Sequence, residues 1–281
     1  MKLTVLKETR SGENRVALSP AVVQAMVKSG HEIRVQQDAG LGSAFTNEAY
    51  VQAGASLAEG ADLFVSELYV AVNPPSAEIV EQMPNGSALI SFIYATQNEA
   101  LMELIKKKDL TVFAMEDVPR ISRAQSMDAL SSQANLAGYK AVILGAENLT
   151  RIFPLMMTAA GTVTPAKVLI FGAGVAGLQA IATAKRLGAV VEVSDVRPET
   201  KEQVESLGGK FIEVKADNAV QVEGGYAKEV SAEFLQKQKE AVEKSLFQAD
   251  LVITTALVRG GKAPCLITAE QVSKMKYGAV I

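Results

Sequence analysis

The chain has 281 residues, 48% hydrophobic and 21% charged, with a formal net charge of −3. That length holds two medium domains with real cores, and the small negative charge argues against nucleic acid or an anionic membrane surface as a partner. A single cysteine, Cys265, and a single histidine, His31, exclude a disulfide framework and a cysteine- or histidine-based metal centre, and leave little room for histidine acid–base chemistry.

The start, MKLTVLKETR, enters a strand at residues 3–6 with neither a signal core nor an arginine-rich presequence. No later stretch approaches the ~20 apolar residues that span a bilayer. A polar segment, 7–15, precedes Ser19-Pro20, a helix start in which serine caps open N–H groups and proline suits the first helical position. A helix over 21–29 ends at Gly30, and a strand follows at 32–36. Helix and strand patterns then alternate through 47–53, 63–72, 79–83, 88–92, 99–107 and 110–114. Repeated β-α-β at these lengths predicts a parallel sheet with helices on both faces. Asn73-Pro74-Pro75 breaks the chain after a strand, where α/β proteins set functional loops. Residues 116–130, EDVPRISRAQSMDAL, crowd Arg120, Arg123, Gln125, Ser126 and Asp128 together without a period. Two readings stand for them: a solvated linker with a capping run, or a polar loop at the domain junction facing the cleft where a nucleotide lies.

Residues 131–148 read as a long helix passing between domains, with Ala134, Ala137 and Gly138 allowing close packing, and 154–165 as an apolar, proline-punctuated connection. The stretch KVLIFGAGVAGLQAIATAKRLGAVVEVSDVR organises the rest. An apolar strand at 168–171 leads to Gly172, Gly174 and Gly177 at G-x-G-x-x-G spacing, then to a helix over 178–187 and a second strand at 190–193 that delivers Asp195. Gly172 allows the turn, Gly174 lets backbone approach a pyrophosphate, and Gly177 lets helix and strand pack closely. The helix N-terminus offers N–H groups and partial positive charge to phosphates. Asp195, about 20 residues on, is placed to accept from a ribose 2′-hydroxyl and to repel a 2′-phosphate, which favours NAD(H) over NADP(H). Arg197 tempers that preference, since a nearby arginine could serve a phosphate, but it reads first as a solvated turn residue. A helix over 199–206, a strand at 211–214 and a polar excursion, 215–231, come next; Gly224-Gly225 and Tyr226 lie in that excursion. A helix over 233–247 and a strand at 251–254 then bring Thr255 and Ala256 to a strand end where a cofactor would lie. A last helix at 268–275 leads to GAVI, which reads as mid-strand and sets the expectation of a continuation.

Several segments together resemble one group. KETRSGENRVALSP is similar to the N-terminal signature shared by alanine dehydrogenases and the NAD(H)-binding domain of proton-translocating transhydrogenases, and VLIFGAGVAGLQAIATAKRLGAVVEVSD to their second shared signature. VPRISRAQSMDALSSQANLAGYKAV looks like the transhydrogenase version in particular. The resemblance implies an α/β fold of two Rossmann-like open parallel-sheet domains, 1–130 and 131–281, with an NAD-binding cleft between them and the first completed by residues beyond Ile281. It implies that Arg120, Gln125 and Asp128 form a catalytic loop over the nicotinamide end of NAD(H), with Ser131 in the same region. Gly172, Gly174, Val175, Ala176, Gly177, Asp195, Val196 and Arg197 would bind the cofactor. Tyr226, in EGGYAKEVS, would close on it as a lid. Thr255, Ala256 and Leu257, in TTALVRGGKAPCLIT, would border its adenosine part.

The departures from alanine dehydrogenase are informative. Ala71 and Tyr94 stand where that enzyme needs a lysine and a histidine, so no evident group holds a 2-oxo acid or carries the proton of reductive amination, although Arg15 is kept. The resemblance therefore implies the NAD(H)-binding part of a transhydrogenase. It would present NADH for direct hydride transfer to NADP⁺ on a partner domain, while a membrane domain couples transfer to proton movement. It implies a homodimer, peripheral to a membrane on the cytoplasmic or matrix side. An alanine-dehydrogenase-like oxidoreductase is the alternative, and a non-catalytic NAD(H)-sensing module is a third reading.

Overall fold

The computed structural model describes residues 1–281 except 214–220, 224–225, 230–231, 257–262 and 264; for 221–223, 226–229, 232–235 and 237–239 the backbone alone is described. The chain forms two compact units, Met1–Ala129 and Leu130–Ile281.

The first unit runs β1 (Lys2–Val5), α1 (Pro20–Lys28), β2 (Glu32–Gln36), α2 (Asn47–Gln52), β3 (Ser56–Ala58), β4 (Leu68–Val70), α3 (Ala77–Gln82), β5 (Ala88–Ser91), α4 (Glu99–Lys107) and β6 (Thr111–Ala114). Its strands form one six-stranded sheet in the order β3-β2-β1-β4-β5-β6, with every pair parallel. Alternate residues of the strands feed opposite faces. Leu3, Val5, Ile33, Val35, Leu68 and Val70 pack with Val23 of α1 and Tyr50 of α2. Tyr69 and Leu89 pack with Val80 of α3 and Ile105 of α4. Thr4 is fully buried in the central strand, and its hydroxyl reaches Leu63 O at 3.2 Å and Ser66 Oγ at 2.8 Å, so the polar group is satisfied. Ser19 caps α1 by accepting from Val22 N, as the Ser-Pro pair predicts.

The second unit runs α5 (Ala129–Asn148), β7 (Met156–Thr158), β8 (Gly161–Val163), β9 (Lys167–Phe171), α6 (Val175–Arg186), β10 (Val190–Ser194), α7 (Lys201–Ser206), β11 (Lys210–Phe211), β12 (Gln221–Glu223), β13 (Tyr226–Glu229), α8 (Ala232–Leu246), β14 (Leu251–Thr254) and α9 (Ala269–Ser273). Its parallel sheet has the order β11-β10-β9-β14, and Val280 adds a parallel bridge to Leu251. Val168 and Ile170 face Ala180, Ile181 and Ala184 of α6 and Val142 of α5. Leu169 and Phe171 face Val242 and Leu246 of α8. The strand β9 is thus covered on both faces, which is why it reads as an unbroken apolar run. α5 lies against the first turn of α6, where Gly138 meets Ala176. Below the sheet, Asp250, its side chain 4% exposed, accepts from Lys167 N at 2.8 Å, Lys276 Nζ at 2.8 Å and Arg151 Nη1 at 3.2 Å. No helix among the described residues is long and apolar enough to cross a membrane.

Three stretches differ from what the sequence pattern predicts. Residues 63–72 divide into a 3₁₀ turn, Gly60–Phe64, and the short β4, with the unpredicted β3 before them. Residues 116–130 are not a plain linker, since a 3₁₀ turn, Ser122–Met127, is anchored by the buried Ala124. Residues 154–165, expected to be a bare connection, hold the antiparallel hairpin β7–β8, whose Met157 is 83% exposed. Strands of three residues on the surface carry no alternation for a sequence to show.

Candidate nucleotide-binding site

In the second unit the chain runs β9, β10, β11 outward in one direction and then returns to place β14 on the other side of β9. The strand order reverses between β9 and β14, and in open parallel sheets ligands bind outside the carboxyl ends of strands at such a point. The glycine turn leaves β9 there, and Thr255 follows β14 beside it. Thr255 N donates to Phe171 O at 2.8 Å, and its hydroxyl donates to Phe171 O at 3.1 Å and Gly172 O at 3.0 Å. Gly172 has φ +94°, a conformation that favours glycine, and its N–H donates to Ser194 O at 2.8 Å. A Cβ at Gly177 would lie 1.8 Å from Gly172 O, so helix and turn approach as closely as the spacing predicts. Gly174 is different: a Cβ there would meet nothing within 4 Å. It is the N-cap of α6, no side chain caps the helix, and its first turn carries no acid. Open space above Gly174, uncapped N–H groups and a helix of 12 residues fit a pyrophosphate. Val175 is exposed and Ala176 half-buried in that turn.

Asp195 follows β10, and its side chain is 4% exposed. Oδ2 accepts from Ala173 N at 2.6 Å and Arg197 Nη2 at 2.8 Å; Oδ1 accepts from Arg197 N at 2.8 Å and Arg197 Nε at 3.0 Å. Burial alone would raise its pKa, but the Arg197 guanidinium and the two backbone N–H groups outweigh burial and hold the carboxyl below its ordinary range. Arg197 is therefore no solvated turn residue: its side chain is 15% exposed and grips Asp195 side-on. The D-x-R spacing after a strand was the available signal. Val196 lies between them, half-buried.

The other candidates fall into two groups. Arg120, Gln125 and Asp128 lie in the first unit and Ser131 in the second. Arg120 Nε stands 3.9 Å from Asp128 Oδ2, Asp128 N donates to Gln125 O at 3.2 Å, and the Gln125 side chain is exposed. Ser131 is half-buried in α5. Tyr226 begins β13 with its backbone opposite Glu223, and its side chain lies outside the described residues, as does the whole of Leu257.

A second polar constellation, which sequence reasoning did not assemble, sits where the first unit's strand order reverses between β1 and β4. After β1, Glu8 accepts from Val72 N at 2.7 Å and Asn73 N at 3.1 Å. Asn73 Nδ2 donates to Glu8 at 2.9 Å and Glu13 at 2.8 Å. Arg15 holds Glu13 through Nε at 2.8 Å and Nη2 at 2.6 Å, and through its own N–H at 3.0 Å. Tyr94 takes the left-handed region at φ 50° and ψ 55°; Glu116 accepts from its N–H, and its ring stacks on Phe92 at 5.9 Å. Ala71 is buried nearby in sequence, beyond β4. Chiefly through the Arg15 hydrogen bond, Glu13 is pushed down to about 2. Its folded pKa is depressed, so its contribution to stability is complete above the unfolded carboxyl's range near 4.5 and disappears as pH falls through about 2. With Arg15 half exposed to screening solvent, that contribution is about 1 kcal/mol. Glu13→Gln should remove it, flattening the acid limb of the unfolding midpoint between pH 4.5 and 2; an unchanged limb would show that the pair does not stabilise the fold.

Two family models match almost the whole chain: "Alanine dehydrogenase/PNT, N-terminal domain" over residues 4–137 and "Alanine dehydrogenase/PNT, C-terminal domain" over residues 141–281. The chain belongs to the alanine dehydrogenase/PNT family. Within that family it is 54% identical over 290 aligned positions to the first section of NAD(P) transhydrogenase subunit alpha of Rhodospirillum rubrum, covering 100% of this chain and 76% of the relative. It is 31% identical over 285 positions to alanine dehydrogenase of Bacillus subtilis, covering 100% of this chain and 69% of that enzyme. Among solved structures, the transhydrogenase of Sinorhizobium meliloti superposes with a TM-score of 0.88 at 43% identity, over 100% of this chain and 77% of that one. The two Rossmann-like units are the family's own architecture.

Proposed function

We propose that this chain is the NAD(H)-binding component of an NAD(P) transhydrogenase and presents NADH for hydride transfer to NADP⁺ on a partner. The observation that carries the reading is the turn at the reversal of the second sheet, with open space over Gly174 and the Asp195 carboxylate beside it, in a chain nearer to transhydrogenase than to alanine dehydrogenase. The bound nicotinamide supplies the hydride. The α6 N-terminus and Gly174 hold the pyrophosphate, and Asp195 takes the adenosine ribose. Thr255 braces the turn, while Ala256, Val175, Ala176 and Val196 line its approach. Gln125, Asp128 and Arg120 serve transfer rather than NADH binding, and Tyr226, Leu257 and Ser131 complete the nucleotide's surroundings. Transfer between two nicotinamides needs position and exclusion of water rather than a side-chain acid or base, which suits a chain with one histidine and one cysteine. The partners are an NADP(H)-binding component and a membrane proton channel, with a second copy of this chain, and the site of action is peripheral to a membrane on the cytoplasmic or matrix side.

Titration with NADH and NADPH tests the nucleotide. Asp195→Ala should weaken NADH by about 10–100-fold, the range of a hydrogen bond to a charged group, and narrow the preference over NADPH. Tighter NADPH than NADH binding by the unaltered chain would overturn the reading. The reaction is tested by mixing the pure chain with NADH and either pyruvate and ammonia, or NADP⁺ and an NADP(H)-binding transhydrogenase component. Turnover is expected only in the second mixture, because Ala71 and Tyr94 replace the lysine and histidine of amination and Arg15 is already held by Glu13. Pyruvate-dependent NADH oxidation above background would make the chain an alanine-dehydrogenase-like enzyme instead.

A further inference from the structure

We infer that Arg197 is a specificity-determining residue, one that occupies the sugar-binding face of Asp195 and must leave it before a nucleotide's ribose can enter. The inference rests on the reading of this turn as an NAD(H) site. A carboxylate has about four lone-pair positions. At Asp195 four donors fill them: the N–H groups of Ala173 and Arg197 from the backbone, and Nε and Nη2 of Arg197 from the side chain. The backbone donors are fixed, one by the glycine turn and one by the two-residue spacing. The guanidinium donors ride on a rotatable side chain. With 4% of the Asp195 side chain and 15% of that of Arg197 exposed, the carboxylate is almost closed to solvent while the guanidinium keeps some exposure, so of the four donors the guanidinium pair is the one able to swing away.

A ribose offers two hydroxyl donors side by side, the same number that the guanidinium edge presents. Binding is therefore an exchange of one pair of donors for another, with the two backbone bonds kept. Two consequences follow. The apparent affinity for NADH equals the intrinsic affinity reduced by the fraction of molecules in which Asp195 is uncovered. The pair also carries no net charge, so a 2′-phosphate meets far less repulsion than a bare carboxylate would give it, and the displaced guanidinium stays within reach of that phosphate. Arg197 thus weakens NADH and helps NADPH, which sets it apart from a residue that simply touches the cofactor.

Calorimetric titration of the full chain with NADH and with NADPH, before and after Arg197→Ala, separates these roles. Removal of the guanidinium should tighten NADH by about threefold or more and weaken NADPH, so that the ratio of the two dissociation constants widens by about tenfold; Arg197→Lys, with the charge but not the fork, should fall between. Equal or weaker NADH binding by Arg197→Ala, with NADPH reduced by the same factor, would make Arg197 an ordinary cofactor contact and overturn the inference. If the unaltered chain bound neither nucleotide, or if Asp195→Ala left NADH unchanged, the NAD(H) reading itself would fail. Should Arg197→Ala not fold, the Nε resonance of Arg197 in the unaltered chain decides: a shift toward that of unpaired arginine at saturating NADH supports the exchange, and an unmoved resonance refutes it.

Discussion

Gly177→Ala should destabilise the second unit by about 3 kcal/mol or more, at or beyond the upper end of overpacking costs, whereas Gly174→Val should fold normally and lose NADH. The two glycines stand three residues apart in one fingerprint and differ in what surrounds them. At Gly177 the added Cβ would lie 1.8 Å from Gly172 O and 3.1 Å from Thr255 Oγ1. The closer atom is backbone, held by the Thr255 hydroxyl, so relief requires α6 to back away from β9. At Gly174 the dihedrals are φ −79° and ψ −169°, ordinary for any residue, and nothing lies within 4 Å of the added carbon. A valine there costs about 1 kcal/mol as a poorer N-cap, well below the loss at Gly177, yet fills the space that a pyrophosphate needs, and affinity should drop by about 100-fold or more. Thermal unfolding and NADH titration of both variants measure the contrast. Equal stability losses, or full NADH binding by Gly174→Val, would contradict the assignment of this turn.

Gln125→Asn should slow hydride transfer by about 10²-fold, the effect of a misplacement near 1 Å, while the NADH dissociation constant stays within about twofold. The substitution shortens one exposed side chain by a methylene and leaves its support in place. Ala124 remains buried at 3% exposure, Gln125 O still accepts from Asp128 N, and Arg120 still faces Asp128 at 3.9 Å. Stopped-flow transfer with an NADP(H)-binding partner reads the rate, and titration reads the affinity. A parallel fall in both would reduce Gln125 to a cofactor contact with no separate role in transfer.

The sequence showed most where one residue type had one physical job. The β-α-β alternation placed β2 and β14 to the residue, β2 because Ile33 and Val35 alternate with polar neighbours and β14 because its buried run is apolar. G-x-G-x-x-G gave the turn because Gly172 needs φ +94° and Gly177 tolerates no Cβ. Surface elements left no such mark: β3 and the β7–β8 hairpin are three-residue strands held by backbone bonds, which any side chains permit. The site was legible as a set of positions but not as a set of partners. Asp195 reads as an open carboxylate and Arg197 as a solvated neighbour, and only the fold shows each spending its charge on the other. The polar knot of Glu8, Glu13, Asn73 and Arg15 was invisible because its members are scattered along the chain and meet only where β1 and β4 end.

One device occurs in both units. Glu13 and Asp195 are each gripped by the arginine two residues later through its backbone N–H, Nε and Nη2. The two forks differ in shelter: the Arg15 side chain is 44% exposed and that of Arg197 15%. Ionic strength should therefore separate them. Raising salt toward 1 M shortens the Debye length to about 3 Å and dissolves attraction between exposed charges, while a covered pair hardly responds. Added salt would bring the proton affinity of Glu13 back toward that of a free carboxylate and leave that of Asp195 almost where it is, so the first fork opens to the ions around it and the second opens only to a ligand that takes its place.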